Sequence, residues 1–111
     1  MSIKKFCLAL DLKEDNQLIT DYKAHHQNVW SEIIESIKES GITMLDIYCV
    51  GNRLFMLVEA TEDFSFERKS ALDDSNTKVQ EWEELMWKYQ QALPWAKPGE
   101  KWMMMERIFQ L

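Results

Sequence analysis

Two apolar segments separated by the dipeptide Gly51-Asn52 restrict the fold of this chain more than any other feature. Residues 44–50 (MLDIYCV) and 53–60 (RLFMLVEA) are rich in β-branched, aromatic and long apolar side chains, as strands are. A two-residue connection with glycine first is typical of a β-hairpin, because glycine adopts the positive φ that such a turn needs. The pattern therefore predicts two adjacent antiparallel strands in the middle of the chain.

The chain before the hairpin predicts one strand and a helical region. Residues 3–12 alternate as a strand does, and residues 14–24 and 28–40 have helical periodicity, with a break or bend near Gln27-Asn28. Gly41 follows the second helical stretch directly, which is the usual position of a C-terminal glycine cap.

The chain after the hairpin predicts more helix and a final strand. Residues 62–74 fit a short helix or a turn-rich segment, and residues 76–92 fit a long helix that Pro94 stops. A loop over 95–100 then leads to an alternating strand over 101–110. The resulting order, β-α-β-β-α-β, predicts an α+β fold of the ferredoxin-like type with an antiparallel sheet.

The first strand is apolar on both of its faces, which predicts a partner. Phe6, Leu8 and Leu10 alternate with the small apolar residues Cys7 and Ala9. Helices of a ferredoxin-like fold cover only one face of the sheet, so the other apolar face needs a second cover. A second copy of the chain is the simplest one. We therefore predict a homodimer that packs sheet to sheet, as in a dimeric α/β barrel.

Length, charge and cysteine content restrict the number of domains, the kinds of partner and the cellular compartment that we expect. The 111 residues predict one domain spanning 1–111. A net charge of −6 argues against nucleic acid as a partner, and no apolar stretch is long enough to predict a membrane span. Cys7 and Cys49 fit small buried apolar side chains in a reducing compartment, so we expect a cytoplasmic protein. No Cys/His spacing predicts a metal site.

Tyr22, His26 and Trp30 are the residues of greatest functional interest. At helical spacing, positions i, i+4 and i+8 drift only about 80° around the axis, so all three share one face. That face packs inward, yet it carries a phenol and an imidazole. His26 is either a hydrogen-bonded histidine at the edge of the core or a proton donor or acceptor, with an unperturbed pKa near 6.5 that suits acid–base work.

Two further side chains have both a structural and a functional interpretation. Trp87 lies about 140° around its helix from Trp82, off the apolar stripe, and either packs on a neighbouring segment or forms an aromatic platform for a sugar. Glu59 ends the third strand and is either a solvated carboxylate or, if it points inward, an acid or base.

The chain has no Ser/His/Asp arrangement, P-loop or H-E-x-x-H motif. The inward-facing His26 and Tyr22, a few carboxylates and many aromatic side chains suit proton transfer without a cofactor. The ligand would be small and either polyhydroxylated or aromatic.

Four motifs in order along the chain resemble the L-rhamnose mutarotase family. They are Y-x-x-x-H-x-x-x-W from Tyr22 to Trp30, the Gly51-Asn52 hairpin followed by L-F-x-x-V-E from Leu54 to Glu59, W-K-Y at 87–89 and E-x-I-F at 106–109. The resemblance implies a ferredoxin-like fold, dimers that pair through their sheets, and interconversion of the α and β anomers of a 6-deoxy-L-sugar without metal or cofactor.

The same resemblance implies roles for individual residues. His26 matches the family's proton donor, Tyr22 matches a substrate-binding tyrosine, and Trp87 matches the second tryptophan of a substrate-binding pair. Two positions depart from the family: Met86 stands where the first tryptophan is expected, and Leu45 stands where a second substrate-contacting tyrosine is expected. These departures make L-fucose an alternative to L-rhamnose as the substrate.

The mechanism implied by the resemblance is acid–base ring opening. We expect His26 to protonate the ring oxygen, and Tyr22, a water molecule or Glu59 to take the proton of the anomeric hydroxyl. Two other classes use the same residue types: a cofactor-free monooxygenase of the dimeric α/β barrel type, and a module that binds a ligand without turnover.

Overall fold

The computed structural model describes residues 2–111 and contains four helices and five strands within them. Their order along the chain is β1 (Ile3–Leu12), α1 (Asn16–His25), α2 (Ser31–Glu39), β2 (Ile42–Val50), β3 (Arg53–Thr61), α3 (Phe66–Asp74), α4 (Thr77–Trp87), β4 (Gln90–Gln91) and β5 (Met103–Met104).

The strands form one antiparallel sheet in the order β2-β3-β1-β4, and β5 also pairs with β1. This is the strand order of a ferredoxin-like fold, so the fold predicted from the sequence is confirmed. Where the simple β-α-β-β-α-β pattern has one helix, this chain has two: α1 and α2 follow β1, and α3 and α4 follow β3. The interior that these helices and the sheet enclose holds the candidate site.

The core lies between the helices and one face of the sheet, which we call the inner face. Leu8, Leu10 and Leu12 of β1 and Leu54 and Val58 of β3 are all buried there. Because successive side chains of a strand point to opposite faces, these positions define the parity of the whole sheet.

The opposite face of the sheet, which we call the outer face, has no helix against it among the elements above. It exposes Tyr48 and Val50 of β2, which are 57% and 78% accessible. Phe55 of β3 lies beside Tyr48 there, with ring centroids 6.1 Å apart. Arg53 and Asp11 pair at one end of this face through two hydrogen bonds of 2.7 and 3.1 Å.

Two glycines make the connections of β2. Gly51 has φ of +57° and forms the turn between β2 and β3, as the sequence predicts. Gly41 has φ of +100° directly after α2, and its carbonyl accepts a hydrogen bond from the Thr61 backbone N–H at 2.9 Å. The glycine cap thus ties the end of α2 to the end of β3.

The structure corrects three local predictions. Helix α4 ends at Trp87, well before Pro94, because residues 90–91 pair with the end of β1 instead. The predicted strand over 101–110 reduces to Met103–Met104, and residues 105–111 are exposed and lack regular structure. Cys49 is exposed in the chain described here, whereas a buried position was expected.

No helix within residues 2–111 has the length and apolar character needed to cross a membrane.

Replacing Gly41 with alanine should destabilise the fold more than the same change at Gly99. Both glycines have positive φ, which costs another residue roughly 1–2 kcal/mol. At Gly41 the added Cβ would also lie 2.9 Å from Thr61 Oγ1, whereas nothing lies within 4 Å at Gly99. The free energy of unfolding, measured by urea titration, should therefore be highest for wild type, lower for Gly99→Ala and lowest for Gly41→Ala. Equal losses for the two variants would contradict this account.

Candidate active site

A cavity of about 580 Å³ lies between the helices and the inner face of the sheet. Its volume is within the range of small-molecule sites. Residues from both helical pairs and from the strands line it, including Tyr22, His26, Leu45, Met56, Met86 and Gln90. Most of the lining is apolar, so the few polar groups determine what it can bind or do.

The first helix ends so that His26 faces this cavity. His26 is the C-cap of α1, and its backbone N–H donates to the carbonyl of Lys23 at 3.1 Å. Its side chain turns back along the helix, and Nδ1 donates to the carbonyl of Tyr22 at 2.8 Å. Carbonyls at the end of a helix need donors from outside the helical ladder, and the imidazole supplies one.

This hydrogen bond determines the tautomer of the neutral ring. A carbonyl oxygen only accepts, so the hydrogen of neutral His26 is on Nδ1 and the lone pair is on Nε2. Burial lowers the pKa of His26 below its usual value of 6.5, against the opposing effect of the Tyr22 carbonyl. His26 is therefore mostly neutral at pH 7 and has a nitrogen ready to accept a proton.

Tyr22 lies next to His26 and keeps its own proton. Its side chain is buried, and its ring centroid is 4.4 Å from that of His26. Burial raises the pKa of Tyr22 above its usual value of 10, so the phenol is protonated at neutral pH. The side-chain amide of Gln90 donates to Tyr22 Oη at 3.3 Å, which leaves the phenol hydrogen free for another acceptor. A proton acceptor and a proton donor thus stand side by side.

Trp30 supports the site without lining it. Trp82 of α4 lines the cavity and lies edge-on to His26, with ring centroids 5.7 Å apart. The ring of Trp30 packs edge-on to Trp82 at 5.1 Å, and Lys78 Nζ lies 5.9 Å from the Trp30 centroid. Because the helix breaks between His26 and Ser31, Trp30 does not continue the face of Tyr22 and His26.

Leu45 and Met86, the two positions at which the sequence is expected to differ from the family it resembles, both line the cavity. A second cavity of about 440 Å³ lies beside β2. Four residues line both cavities: His26, Val29, Leu45 and Ile47. Since β2 is an edge strand of the sheet, this second cavity places Leu45 and His26 between the interior and the edge of the molecule.

Two predicted site residues are not brought together with His26. Glu59 lies between the buried inner-face residues Val58 and Ala60, so it points to the outer face, where its Oε1 is 3.9 Å from Lys5 Nζ. Trp87 does not line either cavity described above; its ring lies under Lys101, with Nζ 4.7 Å from the centroid.

The structure adds polar residues to the cavity that the sequence analysis did not single out. Gln90 and Lys101 line it, and so do Lys69 and Asp73 of α3, which form an ion pair of 2.6 Å. Burial lowers the pKa of Lys101, whose ammonium donates to the carbonyl of Glu83 at 3.4 Å. The sequence carries no periodic signal for these residues, because they lie in α3 or beyond the end of α4.

Within residues 2–111, no group of three or more His, Cys, Asp or Glu side chains is arranged to hold a metal ion.

Comparison with known proteins identifies the family. The L-rhamnose mutarotase family model matches residues 5–111. The chain belongs to this family. It is 42% identical to an L-fucose mutarotase of Xanthomonas campestris over 113 aligned residues, which cover the whole chain and 90% of that protein. It is also 37% identical to a protein of Dictyostelium discoideum, with 97% of this chain and 90% of that protein aligned.

Solved structures confirm the fold of this mutarotase-family member. The L-rhamnose mutarotase of Formosa agariphila superposes with a TM-score of 0.71 at 19% identity, over 97% of this chain and 98% of that one. Tetracenomycin F2 cyclase of Streptomyces glaucescens, a type II polyketide cyclase, superposes with a TM-score of 0.60 at 15% identity, over the same shares of the two chains. The same fold therefore occurs in a protein with a different name and chemistry.

The orientation of His26 can be tested in solution by NMR. Long-range ¹H–¹⁵N correlation should show, at pH 7, a protonated Nδ1 and an unprotonated Nε2 for His26. Its ring protons should titrate with a midpoint below 6.5, because the folded protein disfavours the imidazolium. A His26→Gln sample assigns the signals. An Nε2–H tautomer, or a midpoint at or above 6.5, would contradict the geometry described here.

Proposed function

We propose that the protein is a mutarotase that interconverts the α and β anomers of a 6-deoxy-L-sugar. One observation carries the proposal: the His26 ring, whose Nε2 is left free by the Nδ1 hydrogen bond, lies with its centroid 4.4 Å from that of the Tyr22 ring at the cavity wall. Ring opening of a sugar needs a proton acceptor at the anomeric hydroxyl and a proton donor at the ring oxygen, and these two side chains supply both.

The reaction can be written with its protons balanced. Nε2 of His26 takes the proton of the anomeric hydroxyl, C1 becomes a carbonyl carbon, and the bond between C1 and the ring oxygen breaks. The electron pair of that bond goes to the ring oxygen, which takes the proton of Tyr22 Oη. The Gln90 N–H that donates to Tyr22 Oη stabilises the phenolate so formed.

Closure reverses the same transfers on the other face of the carbonyl. After rotation about the C1–C2 bond, imidazolium His26 returns its proton to the oxygen of C1, and the Tyr22 phenolate takes back the proton of the attacking hydroxyl. His26 is therefore the acceptor in opening and donates to the oxygen of C1 in closure, which reverses the roles in ring opening that the family resemblance implies for His26 and Tyr22. We assign no role to Glu59, which lies on the outer face.

Either L-fucose or L-rhamnose is the proposed substrate, and we favour L-fucose. The relative of Xanthomonas campestris named as an L-fucose mutarotase is 42% identical across the whole chain. Leu45 and Met86 line the cavity in place of the larger aromatic residues expected from the family pattern. We propose that these two side chains determine which configuration of sugar hydroxyls fits the pocket. We propose that Trp87 also contributes to substrate binding, from a position outside the cavity wall.

The monooxygenase and the non-catalytic binding module are less well supported. Both fit the fold, because the fold alone is shared with a polyketide cyclase. The binding module does not account for a half-buried acceptor beside a buried donor, since binding alone needs no titratable pair. Oxygen uptake with an aromatic substrate would indicate the first, and sugar binding without faster exchange the second.

We also propose that the protein acts as a homodimer formed through the outer face, in the cytoplasm. Tyr48 and Val50 are exposed on that face and Phe55 lies beside Tyr48, and a cluster of exposed apolar side chains is typical of a protein interface. The exposed apolar side chains of Ile108 and Phe109, in the segment that follows β5, would find partners in such an assembly. Both cysteines are free thiols, as a reducing compartment allows.

Loss of His26 should remove catalysis without unfolding the protein. Saturation-transfer NMR between the anomeric protons of L-fucose and of L-rhamnose should show faster exchange with wild-type protein. The His26→Gln variant should reduce the catalysed rate by on the order of 10²–10⁴-fold, the usual contribution of a proton-transfer group.

His25 offers a matched control for that experiment. Its Nε2 lies 3.1 Å from Tyr89 Oη, and it lines neither cavity described above. His25→Gln should keep the exchange rate within a few-fold of wild type. Wild-type exchange of both sugars by the His26→Gln variant would overturn the assignment of His26, and no acceleration by wild-type protein would overturn the function.

The proposed dimer can be tested by charge substitution on the outer face. Sedimentation equilibrium of the wild type should give twice the chain mass of 13.3 kDa. Phe55→Glu should shift the protein to a monomer, because a buried unpaired carboxylate costs several kcal/mol at an interface. Leu72→Glu, which places the same charge on exposed α3, should leave the dimer intact. A monomeric wild type, or a dimeric Phe55→Glu variant, would contradict the outer-face dimer.

A further inference from the structure

Gln90 is a buried amide in a place where the fold alone does not require one. It pairs with Leu12 in the β4–β1 ladder, so its side chain points to the inner face, and only 5% of it is accessible. Its neighbours there are members of an apolar cluster that includes Tyr22 and Met86. A polar group so placed is unfavourable unless all its hydrogen-bonding capacity is used.

Only one of the two polar atoms of the amide has a partner. Nε2 donates to Tyr22 Oη at 3.3 Å, whereas Oε1 is buried and has no donor within hydrogen-bond distance among residues 2–111. Buried polar atoms in folded proteins nearly always have a partner. Gln90 also contributes to the wall of the cavity. The missing partner of Oε1 must be a donor, and the cavity is where a ligand can bring one.

The hydroxyls of a sugar are donors of this kind. We propose that Gln90 is a further substrate-binding residue, whose Oε1 accepts a hydrogen bond from a ring hydroxyl of the sugar while Nε2 holds Tyr22 in place. This inference rests on the proposed function and adds to it a residue that recognises one hydroxyl of the substrate through a hydrogen bond. The side-chain amide then links the sugar to the phenol that acts on the ring oxygen.

The sequence neighbour Gln91 provides the contrast. Gln91 has the opposite parity in β4 and is exposed. It is chemically identical to Gln90 and one residue away, but it does not line the cavity. Any effect that belongs to the amide in the cavity should appear at position 90 and not at position 91.

The test combines variants of the protein with deoxygenated sugars. Dissociation constants are measured by NMR titration for the 6-deoxy-L-sugar that wild-type protein binds more tightly, and for its analogues lacking the hydroxyl at C2, C3 or C4. Wild type should lose about tenfold in affinity for one analogue, as expected for one hydrogen bond to a neutral group. Gln90→Met should lose about tenfold for the parent sugar and show no further loss for that same analogue. Gln91→Met should behave as wild type.

The outcomes separate this inference from the proposed function. Two results would overturn the role of Gln90 even if wild type accelerates anomer exchange. One is that each analogue loses the same affinity in wild type and in Gln90→Met. The other is that Gln90→Met binds the parent sugar with unchanged affinity. If Gln90→Met does not fold, the side-chain amide signals of Gln90 in ¹⁵N-labelled wild type provide a second readout. They should shift on saturation with the parent sugar and not with the analogue concerned, and an absence of any shift would also overturn the proposal.

Discussion

The hydrogen bond from His26 Nδ1 to the carbonyl of Tyr22 is the contact on which the site depends. It closes the end of α1, so the chain turns before Ser31 instead of continuing as one helix to Glu39. The same bond determines which ring nitrogen holds the hydrogen. One interaction therefore satisfies a carbonyl at the end of the helix and determines which nitrogen of the imidazole can accept a proton.

The break in the helix also determines the shape of the cavity. A continuous helix would place Trp30 on the face of Tyr22 and His26, whereas the observed turn moves the indole of Trp30 behind Trp82. Trp82 then forms the wall next to His26. The polar groups of the wall come from distant parts of the chain, since Tyr22 and Gln90 are 68 residues apart and meet only through the pairing of β4 with β1.

The sequence predicts those parts of the structure that depend on local patterns. The Gly51-Asn52 turn, the Gly41 cap, the strand parity of β1 and the placement of Tyr22 and His26 on an inward face all follow from the spacing of a few residues. Prediction fails where the structure depends on pairing between residues that are far apart in the sequence. The alternation over residues 101–110 is typical of a strand, but only Met103 and Met104 of those residues form a strand with β1, and β4 pairs with β1 at Asp11 and Leu12. Nothing local to Gln90 or Lys101 indicates that they reach the cavity.

Parity also explains why Glu59 is not part of the acid–base pair that we propose, His26 and Tyr22. Glu59 is on the wrong face of its strand, one residue from the buried Val58. Burial acts in opposite directions on the two members of this pair, lowering the pKa of the histidine and raising that of the tyrosine, so both are neutral before the reaction. A catalyst speeds the interconversion of two anomers by the same factor in both directions, so the pair must be able to open either one. A neutral acceptor beside a neutral donor returns to the same state after each turnover, whichever anomer entered.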